Sequence, residues 1–190
     1  MKIRSFFLFC LSLSLFVFVP ALAQAVMDGF GIADLVGRSD AVVNGRVLSV
    51  TSRWTPDGTR IVSEAVVSVD RLVRGDGGHA AVKTAVVEYE GGEIGDMGYR
   101  VSDAVTLNAG DNIVVFLQAS SATGGAYRAA SASASVARYS VIGRAQGVYK
   151  VSEDGTAHKE GFTVISNRSA VVNNLPVEEL LRMIREVKKP

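Results

Sequence analysis

The chain has 190 residues, 20 of them basic and 19 acidic, and 48% of them hydrophobic. A net charge of +1 with no basic stripe argues against nucleic acid as a partner. The single cysteine, Cys10, excludes a disulfide framework, so an exported domain of this kind has to be stabilised by its core.

Lys2 and Arg4 precede an apolar run from Phe6 to Val19, too short for a comfortable membrane span. Pro20 ends the run, and Ala21-Leu22-Ala23 fits a small-residue cleavage site. Residues 1–23 are therefore expected to be a secretory signal peptide, with Gln24 or Val26 as the new first residue. Cys10 lies inside the run and is read as filler. The remaining chain, about 167 residues, is read as one domain over 24–190, enough to bury roughly 70% of its surface. No second apolar span follows, so no membrane span is expected after cleavage, and the address is periplasmic or extracellular.

Phe30 to Arg38 predicts a short helix, with Ile32, Leu35 and Val36 on one face. Asp40 to Gly75 reads as two long β-branched strands, 41–54 and 60–74, folded about the turn Thr55-Pro56-Asp57-Gly58-Thr59. The apolar parity of the first strand changes near Gly45, which predicts a bulge or bend and one long strand serving two halves of a small barrel. Ala81 to Tyr89 predicts a third strand. Gly91, Gly92, Gly95 and Gly98 mark an irregular loop that needs unusual backbone angles. Ile113-Val114-Val115-Phe116-Leu117, bounded by turn signals, fits a strand buried on both faces.

Ser120 to Ser135 is small and polar and reads as a mobile excursion. Tyr139 to Ile142 and Gly147 to Val151 predict two more strands, and Phe162 to Ile165 a last short one. Residues 176–188 predict an amphipathic helix. Pro176 opens it, Glu178 and Glu179 complement its positive end, and Lys188 and Lys189 the other. Val177, Leu180, Leu181, Ile184 and Val187 form its apolar stripe.

No catalytic constellation stands out. His79 and His158 are the only imidazoles, each beside a turn, and there is no nucleophile elbow. Glu88, Glu90, Glu93 and Asp96 bring four carboxylates into a glycine-rich segment that calcium would favour, yet the spacing matches no EF-hand. Asn167-Arg168-Ser169 is a formal glycosylation acceptor, which a signal peptide alone does not put to use. Trp54, Met97, Tyr99 and Arg100 are the contact groups expected near loops, with Tyr99 packed inward as the plain alternative.

Three stretches carry a resemblance: Ser39 to Val47, Val69 to Gly75, and Gly110 to Leu117. Their pattern resembles the strand plan of netrin-like domains, which include the tissue inhibitors of metalloproteinases. It is still more similar to uncharacterised exported bacterial domains, some of which accompany matrixin-like metalloproteases. There Gly91-Gly92 and Gly143-Arg144-Ala145-Gln146-Gly147 also find counterparts. The likeness covers roughly Ser39 to Val151 and implies an OB-type barrel. The inhibitors' zinc-coordinating N-terminal cysteine has no counterpart here, so their mechanism does not carry over.

The expected architecture is an all-β, OB-like, five-stranded Greek-key barrel with a short N-terminal helix and a C-terminal amphipathic helix; a β-sandwich is the alternative. The expected function is an exported non-catalytic binding module for a protein or envelope component, with a secreted protease among the partners and no cofactor. The rival functions are a hydrolytic or metal-dependent enzyme using His79, His158 and the Glu88–Asp96 carboxylates, and a structural envelope protein.

Overall fold

The computed structural model describes residues 28–75, 83–120, 137–163 and 166–188. The expected signal peptide, His79, Ala81, Val82, most of the stretch Ser120–Ser135, Ile165 and Lys189 lie outside the described residues.

Helix α1 (Ile32–Arg38) leads into β1 (Ala41–Trp54), which forms a hairpin with β2 (Ile61–Gly75). Then come β3 (Thr84–Glu90), the small hairpin β4 (Gly92–Ile94) and β5 (Met97–Tyr99), and β6 (Asn112–Ala119). The chain continues through β7 (Ala137–Val141), a 3-10 turn (Arg144–Gly147), β8 (Val148–Val151), β9 (Thr156–His158) and β10 (Asn174–Pro176). It ends in helix α2 (Val177–Glu186).

Five strands close on themselves in the order β1-β2-β3-β7-β6-β1. All neighbours are antiparallel except β3 and β7, which run parallel. This is the Greek-key closure of a small OB-like barrel, and it removes the free sheet edges that a sandwich would keep. β8, β9 and β10 extend the sheet beyond β6 as a short flap.

β1 achieves the closure by curling. It pairs with β2 along its whole length but with β6 only over Ala41 to Arg46. Its register against β2 shifts between Val42 and Val43, between Asn44 and Gly45, and between Val47 and Ser49. Each shift bends the strand and increases its twist. The parity change seen in the sequence is thus real, and the residue left over at the third shift is Leu48, which stands 55% exposed.

Two apolar layers meet across the barrel wall. Val43, Val47, Ala65, Val67, Val87, Ile113, Val115, Leu117 and Tyr139 belong to the barrel's own cluster. Val42, Val114 and Phe116, of opposite parity, belong to a second cluster with Ile32, Leu35 and Val36 of α1 and Leu180, Leu181 and Ile184 of α2. Successive side chains on a strand point to opposite faces. A run apolar at every position, Ile113 to Leu117, therefore needs cover on both, and the helices supply the outer one.

Both helices form where the sequence predicts them, each slightly shorter. Pro176 closes β10 and sits at the N-cap of α2 rather than inside its first turn. The C-terminal carbonyls are served from another element: Arg74 Nη1 donates to Ile184 O (3.4 Å) and Val187 O. Gln146, fully buried, ties the N-terminal segment to the barrel. Its Oε1 accepts from Phe30 N (2.8 Å) and its Nε2 donates to Asp28 O (2.9 Å).

Two local expectations need correction, and one pair of strands had none. The glycine-rich stretch after β3 is an ordered hairpin, β4–β5, turned at Gly95-Asp96, because glycines at positive φ let the chain reverse tightly. Phe162 and Thr163 are not in a strand, since the edge beside β9 is already occupied by β10. β9 and β10, three residues each, pair without any strand signal that their sequence offers alone.

Candidate functional site

One end of the barrel collects the residues expected to make contacts. Trp54 closes β1 opposite Ile61, the first residue of β2. The β4–β5 hairpin is rooted beside this pair: Gly91 N donates to Ile61 O (2.9 Å), and the buried Ser63 Oγ donates to Gly91 O (2.7 Å). Ser52 and Ser63 share a further hydrogen bond of 2.9 Å beneath Gly92. A β-carbon on Gly92 would stand 2.3 Å from Ser63 Oγ and 2.4 Å from Ser52 Oγ, and its φ of +139° is one that side chains rarely adopt. Glycine is thus required for the hairpin to sit this close.

On this end Trp54 is 39% exposed and Met97 56% exposed, and Arg100 lies almost wholly in solvent. Tyr99, paired with Gly92 across the hairpin, is half-buried. Arg100 reaches back to Glu93 at 3.8 Å. The turn Thr55–Arg60 next to Trp54 is stapled by Asp57, which accepts from the Thr55 and Thr59 hydroxyls and from Thr59 N. Those hydrogen bonds, Thr55's first, hold its carboxyl down at about 2. Rigid strands with short, internally bonded turns offer a pre-organised contact surface.

The Glu88–Asp96 carboxylates are distributed rather than gathered. Glu88 pairs with Arg53 (2.6 Å), Glu90 with Arg60 (2.7 Å) and Glu93 with Arg100. Among the described residues no three His, Cys, Asp or Glu side chains come together in a way that could hold a metal ion.

His158 lies on β9, and its side-chain partners are other residues. Its Nδ1 is 3.3 Å from Ser152 Oγ and its Nε2 is 3.1 Å from Glu160 Oε1. Glu160 also pairs with Lys150 (3.4 Å), which pairs in turn with Asp111 (3.2 Å). The Ser152–His158–Glu160 line has the residue types of a hydrolytic triad. Ser152 and Glu160 are exposed, however, and a nucleophile so open to water lacks the exclusion that strengthens active-site electrostatics.

Sequence reasoning missed the group beside this line. Lys159 Nζ is buried and has no hydrogen-bond partner among the described residues. It stands 4.5 Å over the Tyr149 ring and 5.9 Å from that of Phe162. Burial lowers its pKa to about 8 and raises that of Tyr149. A lysine between a histidine and a glutamate carries no sequence signal of burial; only the packing of β8 and β9 puts it there.

No protein-family model and no curated protein matches the chain. No helix among the described residues is long and apolar enough to cross a membrane.

Proposed function

We propose that this chain is an exported, non-catalytic binding module that engages a protein or envelope component, a secreted metalloprotease among the candidates, through the barrel end around Trp54, Met97, Tyr99 and Arg100. The observation that carries the reading is the exposure of Trp54 and Met97 on strands locked together at the hairpin root. Large exposed apolar side chains with charged neighbours are the usual composition of a recognition surface. The resemblance to netrin-like domains supports the same reading, as does the apolar run at the N-terminus, with cleavage before Gln24 or Val26.

The test is cross-linked capture from envelope extract by the exported protein and two double variants, Trp54→Ala with Met97→Ala and Tyr99→Ala with Arg100→Ala. All four positions are at least partly exposed, so both variants should keep the melting transition while capture is lost. Capture that survives in both would place recognition elsewhere. A lowered melting temperature with capture intact would assign Tyr99 to packing.

A further inference from the structure

A cavity of about 420 Å³ lies between the segment after β9 and the segment before β10. Lys159, Glu160, Gly161 and Phe162 line one side, and Arg168, Val171, Asn173 and Asn174 the other. The two sides are clamped at their base, where Lys159 N donates to Asn173 O (3.0 Å) and His158 pairs with Asn174. The volume falls within the ~300–1,000 Å³ of small-molecule sites.

We propose that this cavity binds a small organic carboxylate whose charged group pairs with the Lys159 ammonium. The ammonium is buried without a hydrogen-bond partner among the described residues, an arrangement that costs free energy wherever it occurs. The ring faces of Tyr149 and Phe162 compensate part of that cost, but a ring face carries no net charge to balance the ammonium. Lys159 is both the buried cation and a wall of the cavity, so a small rotation of its flexible stem presents Nζ to an occupant.

The lining selects among anions. Asn173 and Asn174 bring amide groups that suit a flat carboxylate, while Phe162 and Val171 give an organic body an apolar surface. Besides Lys159 the lining carries one cation, Arg168, and one anion, Glu160, so it leaves no net positive charge for the second charge of a phosphate dianion. The site is separate from the barrel end around Trp54 and does not depend on it.

Pairing with an anion favours the charged amine, so binding couples to proton uptake. The charged and titratable groups around Lys159 are Glu160 and Arg168 in the lining, Tyr149 beneath, and His158 and Lys150, which are both paired with Glu160. Burial keeps the Tyr149 phenol protonated through this range.

The experiment is an NMR titration of the purified chain with benzoate, benzamide and inorganic phosphate, repeated across pH. Benzoate should saturably shift the Gly161 and Asn173 amides. Benzamide, its neutral isostere, should not, and phosphate should bind more weakly than benzoate. Benzoate affinity should be level below pH about 8 and fall about tenfold per unit above it. Lys159→Met should abolish binding. Asn173→Asp, at an exposed position, should weaken it about tenfold by charge repulsion while leaving the fold intact. No saturable benzoate shift at neutral pH, equal binding of benzamide, phosphate binding as tightly as benzoate, or unchanged binding in either variant would overturn the proposal.

Discussion

Glu64 of β2 and Glu88 of β3 stand directly opposite each other, and Arg53 Nη2 reaches both, 3.1 Å from Glu64 Oε1 and 2.6 Å from Glu88 Oε2. Like charges directly opposite on a sheet repel. Arg138 of β7 adds a second cation to Glu64 at 2.8 Å, so the network crosses four strands of the barrel. Arg53→Met should cost about 1 kcal/mol, a figure limited by the partial exposure of all three side chains. Adding Glu88→Gln to that variant should recover most of the loss, because the repulsion goes with the charge. Chemical denaturation of the two variants checks this; a single variant as stable as the parent would mean that solvent already screens the pair.

Gly45 makes the tightest approach in the β1–β2 hairpin. A β-carbon there would lie 2.1 Å from Ser68 O, which is main chain and cannot rotate away. Gly45→Ala is expected to cost about 3 kcal/mol by forcing the two strands apart. Urea unfolding should show a lower midpoint, and an unchanged midpoint would mean that the bulges absorb the added methyl.

Leu181 of α2 is 1% exposed within the outer cluster. Leu181→Asp should cost on the order of 4 kcal/mol, since it drives an unpaired charge into an apolar contact. The melting temperature is the readout. If it does not move, α2 is not docked in solution.

The amine of Lys159 also makes stability depend on pH. Its pKa is about 8 in the folded chain against 10.5 when free. Between those values the unfolded chain binds more protons than the folded one, so stability should rise with pH across that window. Below about 8 both states carry the proton and the burial cost is paid in full. The stability difference between Lys159→Met and the parent should therefore be largest at neutral pH and shrink toward pH 10. A difference that stays level across the window would show that the amine is solvated.

Much of this architecture was legible from local patterns. The parity change near Gly45 announced the curl of β1, and the run Ile113 to Leu117 announced a strand covered on both faces. The stripe Val177, Leu180, Leu181, Ile184 and Val187 announced a docked helix, and all five belong to or pack against the outer cluster. The expected contact residues Trp54, Met97 and Tyr99 do share one end of the barrel, but the sequence showed no reason why. The reason is the bond from Gly91 to Ile61, which joins residues 30 positions apart.

Alternation, helical spacing and turn chemistry act between neighbours, so local pattern was enough to set the β class, the two helices and the strand that needs two faces covered. Charge pairing, burial of a lone polar group and short strands that exist only as partners act between distant segments. The tertiary structure alone therefore decided that Glu88 and Glu90 face arginines, that Gln146 anchors the N-terminal segment, and that Arg74 caps α2. It also decided the place of Lys159, because only when β8, β9 and β10 fold into a flap does the Tyr149 ring come to lie under its amine.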